Sequence, residues 1–237
     1  MLRRFTTKSA MTTELLPAIE IATGPRPDAS VIWMHGLGDD GHGWSAVVPA
    51  LRVPSSLSVR FLFPHAPVIP VSINNGHPMR AWYDIRKNDF NSRADLAGVR
   101  QSQAQVEALL VREATRGIAS NRMVLAGFSQ GGAIALYAGL RHRERLAGIV
   151  ALSTYLIAPD AITADASAAN RDVPIFMAHG TQDPVVQLRW AEASRQALVA
   201  AGYRVDWHTY PMPHSAVPEE IVAIGLFLVE VLKPQSG

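Results

Sequence analysis

Short apolar runs that alternate with helical patterns are the feature of this sequence that most restricts its fold. Runs of four to six residues, mostly bounded by Gly or Pro, lie at 31–34, 60–63, 123–126, 147–152 and 174–178. Such continuous runs are typical of strands buried on both faces of a sheet. Helical patterns follow at 95–116, 131–140 and 184–201. This alternation predicts an α/β fold with a mostly parallel central sheet and helices on both faces.

The length of 237 residues suits a single domain of this class. We assign residues 14–237 to that domain and residues 1–13 to an N-terminal extension. The extension carries basic and hydroxyl side chains and no acid, as a transit peptide would, but it has no apolar core for a secretory signal. A disordered terminus explains it more simply.

Composition excludes several classes of function. The formal net charge is +2 with no basic stripe, so we expect no nucleic-acid partner. Without cysteine there are no disulfides, no thiolate metal site and no cysteine nucleophile. This fits a reducing compartment, and we expect a cytoplasmic protein. No apolar run reaches the ~18 residues that a transmembrane helix needs. A weak homodimer is left open.

Residues 68–88 interrupt the alternation of strands and helices. Asn75-Gly76 between apolar flanks predicts a hairpin turn or an excursion from the sheet. Ligands of α/β folds bind outside the carboxyl ends of the strands, which is where a segment following the run at 60–63 emerges. Only about thirty residues separate Phe63 from Asp95, so we expect a small flap instead of a large cap.

The strongest chemical signal is the sequence Gly-Phe-Ser-Gln-Gly-Gly at 127–132. It matches G-x-S-x-G and stands between an apolar strand and an apolar helix, the context that a nucleophilic serine requires. Ser129 would stand at a sharp turn where side chains on either side collide, and glycine at 127 and 131 removes the clash. The helix after it points free amides at a developing oxyanion.

A nucleophilic serine needs a base and an orienting acid, which follow it in the order acid, then histidine. His214 lies in a loop after the last predicted strand, whereas His179 ends a strand and His208 lies within one. Asp183 follows the apolar run at 174–178 and precedes a helix. Asp183 could equally serve as a helix N-cap, but with Ser129 upstream and His214 downstream the catalytic role is favoured.

The oxyanion would be bound by two backbone amides. One is expected from Gln130, directly after the nucleophile, and the other from the loop after the strand at 31–34. Four glycines within 36–43 let that backbone approach a ligand, and we assign the second donor to Leu37. The same loop holds His35, Asp39, Asp40 and His42, but no matching ligand cluster accompanies them. We therefore expect no metal and no cofactor.

Together these motifs resemble the phospholipase/carboxylesterase family of α/β-hydrolases, which includes acyl-protein thioesterases. The matching stretches are 33–39 (WMHGLGD), 80–85 (RAWYDI), 127–132 (GFSQGG), 179–186 (HGTQDPVV) and His214-Ser215. The resemblance implies the triad Ser129, Asp183 and His214, the two amides named above, and an acyl pocket flanked by residues 71–85. For that pocket we assign Ile73, Met79 and Trp82.

The expected activity is therefore that of a serine carboxylesterase acting on short- to medium-chain esters through an acyl-enzyme. One alternative is a lysophospholipase or an acyl-protein thioesterase, so that the substrate is a small ester or thioester, a lysophospholipid or an acylated protein. An alternative of another class is a ligand-binding receptor with this fold and no turnover, because a fold alone does not prove catalysis.

Overall fold

The computed structural model describes residues 15–86 and 95–233. The extension at 1–13 lies outside these residues and remains a prediction. Seven strands form one sheet in the order β1-β3-β2-β6-β7-β8-β9, all parallel except β1, which pairs antiparallel with β3. These strands are β1 (Ala18–Ala22), β2 (Ala29–Met34), β3 (Val59–Pro64), β6 (Met123–Phe128), β7 (Gly148–Leu152), β8 (Ile175–Gly180) and β9 (Val205–Tyr210). The predicted mostly parallel α/β fold is confirmed.

Helices cover both faces of the sheet. They are α1 (Gly41–Ser45), α2 (Leu96–Thr115), α3 (Gln130–Arg141), α4 (Ile162–Asp165), α5 (Leu188–Ala200) and α6 (Pro218–Val231). Alternate residues of β2 divide between two cores: Ile32 packs with α2, α3 and α5, whereas Trp33 packs with α6. This is the period-two alternation of a strand buried on both sides. No helix within 15–86 and 95–233 is long and apolar enough to cross a membrane.

The predicted excursion is a hairpin of β4 (Val68–Val71) and β5 (His77–Arg80), which pair antiparallel outside the main sheet. Its turn contains Asn75 and Gly76, both with positive φ (57° and 75°). Asn-Gly tolerates this conformation, which matches the twist of the flanking strands. The predicted small flap is therefore a two-stranded hairpin.

Besides the short helices α1 and α4, which were not predicted, two elements differ from the sequence-based expectation. β1 was not predicted, because its alternating, half-exposed residues give no continuous apolar run. The helix expected from residue 184 begins at Leu188. Its predicted first turn is a loop, since the Asp183 carboxylate accepts hydrogen bonds from the amides of Val185 and Val186 at 2.8 and 2.9 Å.

Candidate active site

Ser129 stands at the turn from β6 into α3, with φ 54° and ψ −120°. This conformation costs free energy for a residue with a side chain and persists only where the surroundings impose it. A Cβ on Gly127 would overlap the backbone of Gly131, and a Cβ on Gly131 would overlap the carbonyl oxygen of Met34. Both glycines are therefore required for the turn to pack against β2. This close packing holds Ser129 in its strained conformation.

Two hydrogen bonds join Ser129 to a histidine and an acid. His214, in the loop between β9 and α6, has its Nε2 2.9 Å from Ser129 Oγ. Its Nδ1 is 2.6 Å from Oδ2 of Asp183. Because an ionised carboxylate only accepts, the Nδ1–H donates to Asp183, and Nε2 is left to accept the serine proton. The structure thus brings together the three residues that the sequence predicted as a triad.

The Asp183 side chain is inaccessible to solvent. Burial alone would raise the pKa of its carboxyl, but the hydrogen bond with His214 and the amides of Val186 and Val185 outweigh burial and lower it below the ordinary value. The carboxylate therefore stays ionised at neutral pH. His179 packs beneath it, 3.5 Å from Oδ2, and its Nε2 lies 2.7 Å from the Val186 carbonyl oxygen. Burial lowers the pKa of His179, which favours a neutral ring that fixes the acid loop.

The oxyanion loop after β2 is tied to the flap by buried hydrogen bonds. Trp82 Nε1 donates to the His35 carbonyl oxygen at 2.8 Å. The Gln130 side chain accepts from Trp82 N at 2.8 Å and donates to the Tyr83 carbonyl oxygen at 2.7 Å. Gln130 is also the first residue of α3, where backbone amides have no acceptor within the helix. Its side chain thus fixes the base of the flap while its amide lies beside Ser129.

A cavity of about 620 Å³ opens at Ser129 and His214. Its remaining lining comes from the oxyanion loop, the flap, the end of β6, the segment after β7 and the acid loop with the start of α5: Leu37, Ile73, Asn74, Ile85, Phe128, Gln130, Tyr155, Pro184, Val185, Val186, Gln187, Arg189 and Trp190. Most of these side chains are apolar. A pocket of this composition suits an acyl chain.

Of the three residues assigned to the pocket from the sequence, Ile73 lines the cavity and Met79 and Trp82 do not. Trp82 is 2% exposed, because its ring lies beneath the oxyanion loop and its indole N–H is used there. Met79 Sδ instead accepts from Asn74 Nδ2 at 3.2 Å. The wall formed by residues 184–190 was missed, since those residues read as the first turn of a helix. Their position next to the predicted acid was the available signal.

Two residues of the loop considered for a metal, Asp40 and His42, cluster with His65, which follows β3, and their ligand atoms lie within 4.8 Å of one another. His65 Nδ1 accepts the Gly41 amide at 3.1 Å, and Asp40 Oδ1 accepts the His42 amide at 2.7 Å. These bonds cap and anchor the short helix α1. A neutral His65 with Nδ1 as acceptor carries its proton on Nε2, so a cation that binds Nδ1 would have to displace the Gly41 amide.

The profile of the Phospholipase/Carboxylesterase family matches residues 17–232. The chain belongs to this family. A curated relative, acyl-protein thioesterase 1 of Neurospora crassa, is 44% identical over 91% of this chain and 92% of its own. Acyl-protein thioesterase 1 of Cryptococcus neoformans is 40% identical over 92% of this chain and 98% of its own. Both match over nearly their whole length.

Solved structures superpose on most of the fold. Acyl-protein thioesterase 2 of Zea mays has a TM-score of 0.80 at 29% identity, covering 91% of this chain and 100% of its own. Arabidopsis thaliana SOBER1 has a TM-score of 0.81 at 29% identity, covering 86% and 99%. Family membership and these relatives identify the protein as an ester or thioester hydrolase, as the sequence predicted. The receptor alternative is set aside.

Proposed function

We propose that this hydrolase is an acyl-protein thioesterase, which removes acyl groups from protein cysteines by attack of Ser129 on the thioester carbonyl. The observation that carries the proposal is the hydrogen-bonded series Ser129, His214 and Asp183 at the mouth of a largely apolar cavity. Relatives named acyl-protein thioesterase 1 at 44% and 40% identity support the thioester over the simple ester. This choice replaces the carboxylesterase that we expected first from the sequence.

In the proposed reaction, His214 Nε2 takes the Ser129 proton as Oγ attacks the carbonyl carbon. The ionised Asp183 stabilises the imidazolium and keeps its Nδ1–H oriented. The negative charge on the carbonyl oxygen is received by the backbone amides of Leu37 and Gln130. The C–S bond then breaks, the sulfur takes the proton from His214, and acyl-Ser129 remains. Water, activated by His214, releases the carboxylic acid and restores the serine.

The groove suits the two halves of such a substrate. Ile73, Ile85 and Val186 are apolar wall residues that an acyl chain would contact, at up to ~0.8 kcal/mol per fully buried methylene. Val185, Gln187 and Arg189 of the cavity lining are exposed to solvent, which leaves access for a bulky leaving group. A protein cysteine needs that access, because its polypeptide remains in solvent during the attack.

A second candidate is hydrolysis of short- to medium-chain carboxylic esters. The observation that favours it is the finite cavity of about 620 Å³ next to Ser129, which limits how much of a long chain can be buried. Oxygen esters and thioesters share the acyl-enzyme, so the two candidates differ only in the leaving group.

The test compares two octanoylated peptides of one sequence, acylated on cysteine sulfur in one and on serine oxygen in the other. We expect a higher kcat/KM for the S-acyl peptide and loss of both activities in Ser129→Ala. Release of octanoate is measured for both peptides, and release of free thiol for the S-acyl peptide. Hydrolysis of the O-acyl peptide and of p-nitrophenyl esters with the S-acyl peptide left intact would reject the thioesterase in favour of the carboxylesterase.

A further inference from the structure

Arg189 lies on the first turn of α5 and lines the same cavity as Ser129 and His214. Among the described lining residues it is the only one with a permanent charge. The other polar side chains of the wall, such as Asn74 and Gln187, are neutral amides. Because an arginine stays protonated at any physiological pH, the cavity carries a fixed positive charge at this wall.

The guanidinium of Arg189 has no carboxylate of the described residues within ion-pair distance, whereas Arg60, Arg116 and Arg141 each pair with an acid. Its central carbon instead lies 5.2 Å from the ring centroid of Trp190, which also lines the cavity. A guanidinium stacked on an aromatic face keeps its N–H donors available at its edges. The residue is exposed at the rim and not buried in the apolar wall.

At this position Arg189 lies near the part of the substrate that stays outside the apolar groove. The acyl chain is the group that gains by entering the apolar wall. The polar leaving group remains at the exposed rim, where Arg189 can donate to an anion in the paired geometry that guanidinium forms with carboxylates.

We infer that Arg189 is a specificity-determining residue that selects thioesters whose leaving group carries a negative charge, in the first instance acylated cysteines next to Asp or Glu. This inference rests on the proposed thioesterase function for its peptide substrate. The charge preference itself concerns the leaving group and can be measured without a peptide.

The experiment uses S-octanoyl peptides with Asp, Ser or Lys beside the cysteine, and octanoyl thioesters of 3-mercaptopropionate, 2-mercaptoethanol and thiocholine. For each series we take the ratio of kcat/KM for the anionic member to kcat/KM for the neutral member. This ratio should be about three- to fivefold higher in wild type than in Arg189→Gln, the range of an exposed ion pair. The preference should weaken as ionic strength approaches about 1 M. Arg189→Glu should reverse it. Comparing each ratio between variants cancels the intrinsic differences between leaving thiols.

Arg195→Gln is the matched control, because Arg195 lies on the same helix and over the ring of Trp207 at 5.8 Å but does not line the cavity. It should leave both series unchanged. A charge preference that is missing from wild type, or that survives Arg189→Gln, overturns the inference. A lysophospholipid is assayed beside the thioesters, and a loss in Arg189→Gln confined to that substrate also overturns the inference, because it would assign the arginine to a lipid phosphate. If wild type shows the charge preference on the small thioesters but hydrolyses no S-acyl peptide, the inference about Arg189 is supported. Only the proposal of an acyl-protein thioesterase is then rejected.

Discussion

Ser120 and Ser129 lie before and after β6, at opposite ends of one strand, and each is within hydrogen-bond distance of a histidine that also contacts a carboxylate. At the carboxyl end the distances are 2.9 Å to His214 and 2.6 Å from His214 to Asp183. At the amino end Ser120 Oγ is 3.1 Å from His142 Nε2, and His142 Nδ1 is 2.8 Å from Glu107. By connectivity alone, the two sites are the same.

Their surroundings differ in each respect that matters for attack on a carbonyl. Ser129 is held at φ 54° at the start of α3, whereas Ser120 begins a 3₁₀ turn and His142 ends α3. Asp183 is buried and accepts two backbone amides, while the Glu107 side chain is 31% exposed. The cavity at Ser129 does not include Ser120. We therefore infer that the strained turn, the amide donors to the acid and the cavity beside Ser129 distinguish a nucleophilic serine from one that is only hydrogen-bonded.

The largest expected effect tests which serine reacts. Ser129→Ala should lower esterase kcat/KM by about 10⁴-fold or more, because triad members act as a unit. Ser120→Ala, with the same atom removed from the other site, should keep wild-type activity. A fluorophosphonate followed by peptide mapping should modify Ser129 and leave Ser120 free. Labelling of Ser120 in the Ser129→Ala protein would show that connectivity suffices and remove the distinction drawn here.

The next effect concerns the two carboxylates. Asp183→Asn should reduce kcat by about 10³- to 10⁴-fold, since the imidazole loses the group that fixes its tautomer and stabilises its charge. Glu107→Gln is the matched change at the amino end of β6 and should leave kcat within about twofold of wild type, because Glu107 does not line the cavity at Ser129. Circular dichroism checks that both proteins are folded. Equal losses in the two variants would contradict the assignment of Asp183.

A third carboxyl group, that of Glu220, shows by comparison how hydrogen-bond donors affect the pKa of Asp183. Glu220, in the first turn of α6, is inaccessible, and burial raises its pKa from 4.5 to about 7, against a smaller lowering by the Val217 amide. Because folding raises the pKa of Glu220, the free energy of unfolding is highest below pH 4.5 and falls by about 3 kcal/mol as the pH rises through 7. Folding lowers the pKa of Asp183, so the contribution of Asp183 to the free energy of unfolding is lost as the pH falls.

Glu220→Gln should therefore unfold in urea with a free energy that depends less on pH between about 4.5 and 8 than that of wild type. The advantage of the variant should grow with pH in this window, and Glu219→Gln, an exposed neighbour, serves as the control. Parallel stability curves for wild type and Glu220→Gln would mean that Glu220 titrates at its ordinary value.

The sequence predicted the parallel sheet, the hairpin and the three residues that meet at Ser129, because each leaves a local signal: apolar runs, Asn75-Gly76, and a serine between spaced glycines. It did not separate Trp82 from the pocket. An aromatic ring beneath a loop and one on a cavity wall have the same sequence signature, and only the bond from Trp82 Nε1 to His35 distinguishes them. The sequence also failed to predict the cavity wall at 184–190. The Val185 and Val186 amides donate to the Asp183 carboxylate, so these residues form a loop where the sequence predicts a helix.

The smallest expected effect concerns the apolar wall of the cavity beside Ser129. Ile73 lines the cavity from the flap, and Val68 on the same hairpin is 59% exposed and does not. In a series of soluble esters, kcat/KM of wild type should rise over the first few acyl carbons and then flatten or fall, because each methylene gains up to ~0.8 kcal/mol only while apolar surface remains to be covered. Ile73→Ala removes part of that surface, so medium-chain esters should lose about two- to fivefold in kcat/KM. Acetate esters, which do not reach the flap, should be unaffected.

Val68→Ala should match wild type at every chain length. A preference that climbs steadily to sixteen carbons, or one that Ile73→Ala leaves unmoved, would show that the acyl chain takes another path. In that case Val186 and Trp190, which also line the cavity, are the residues expected to contact the chain.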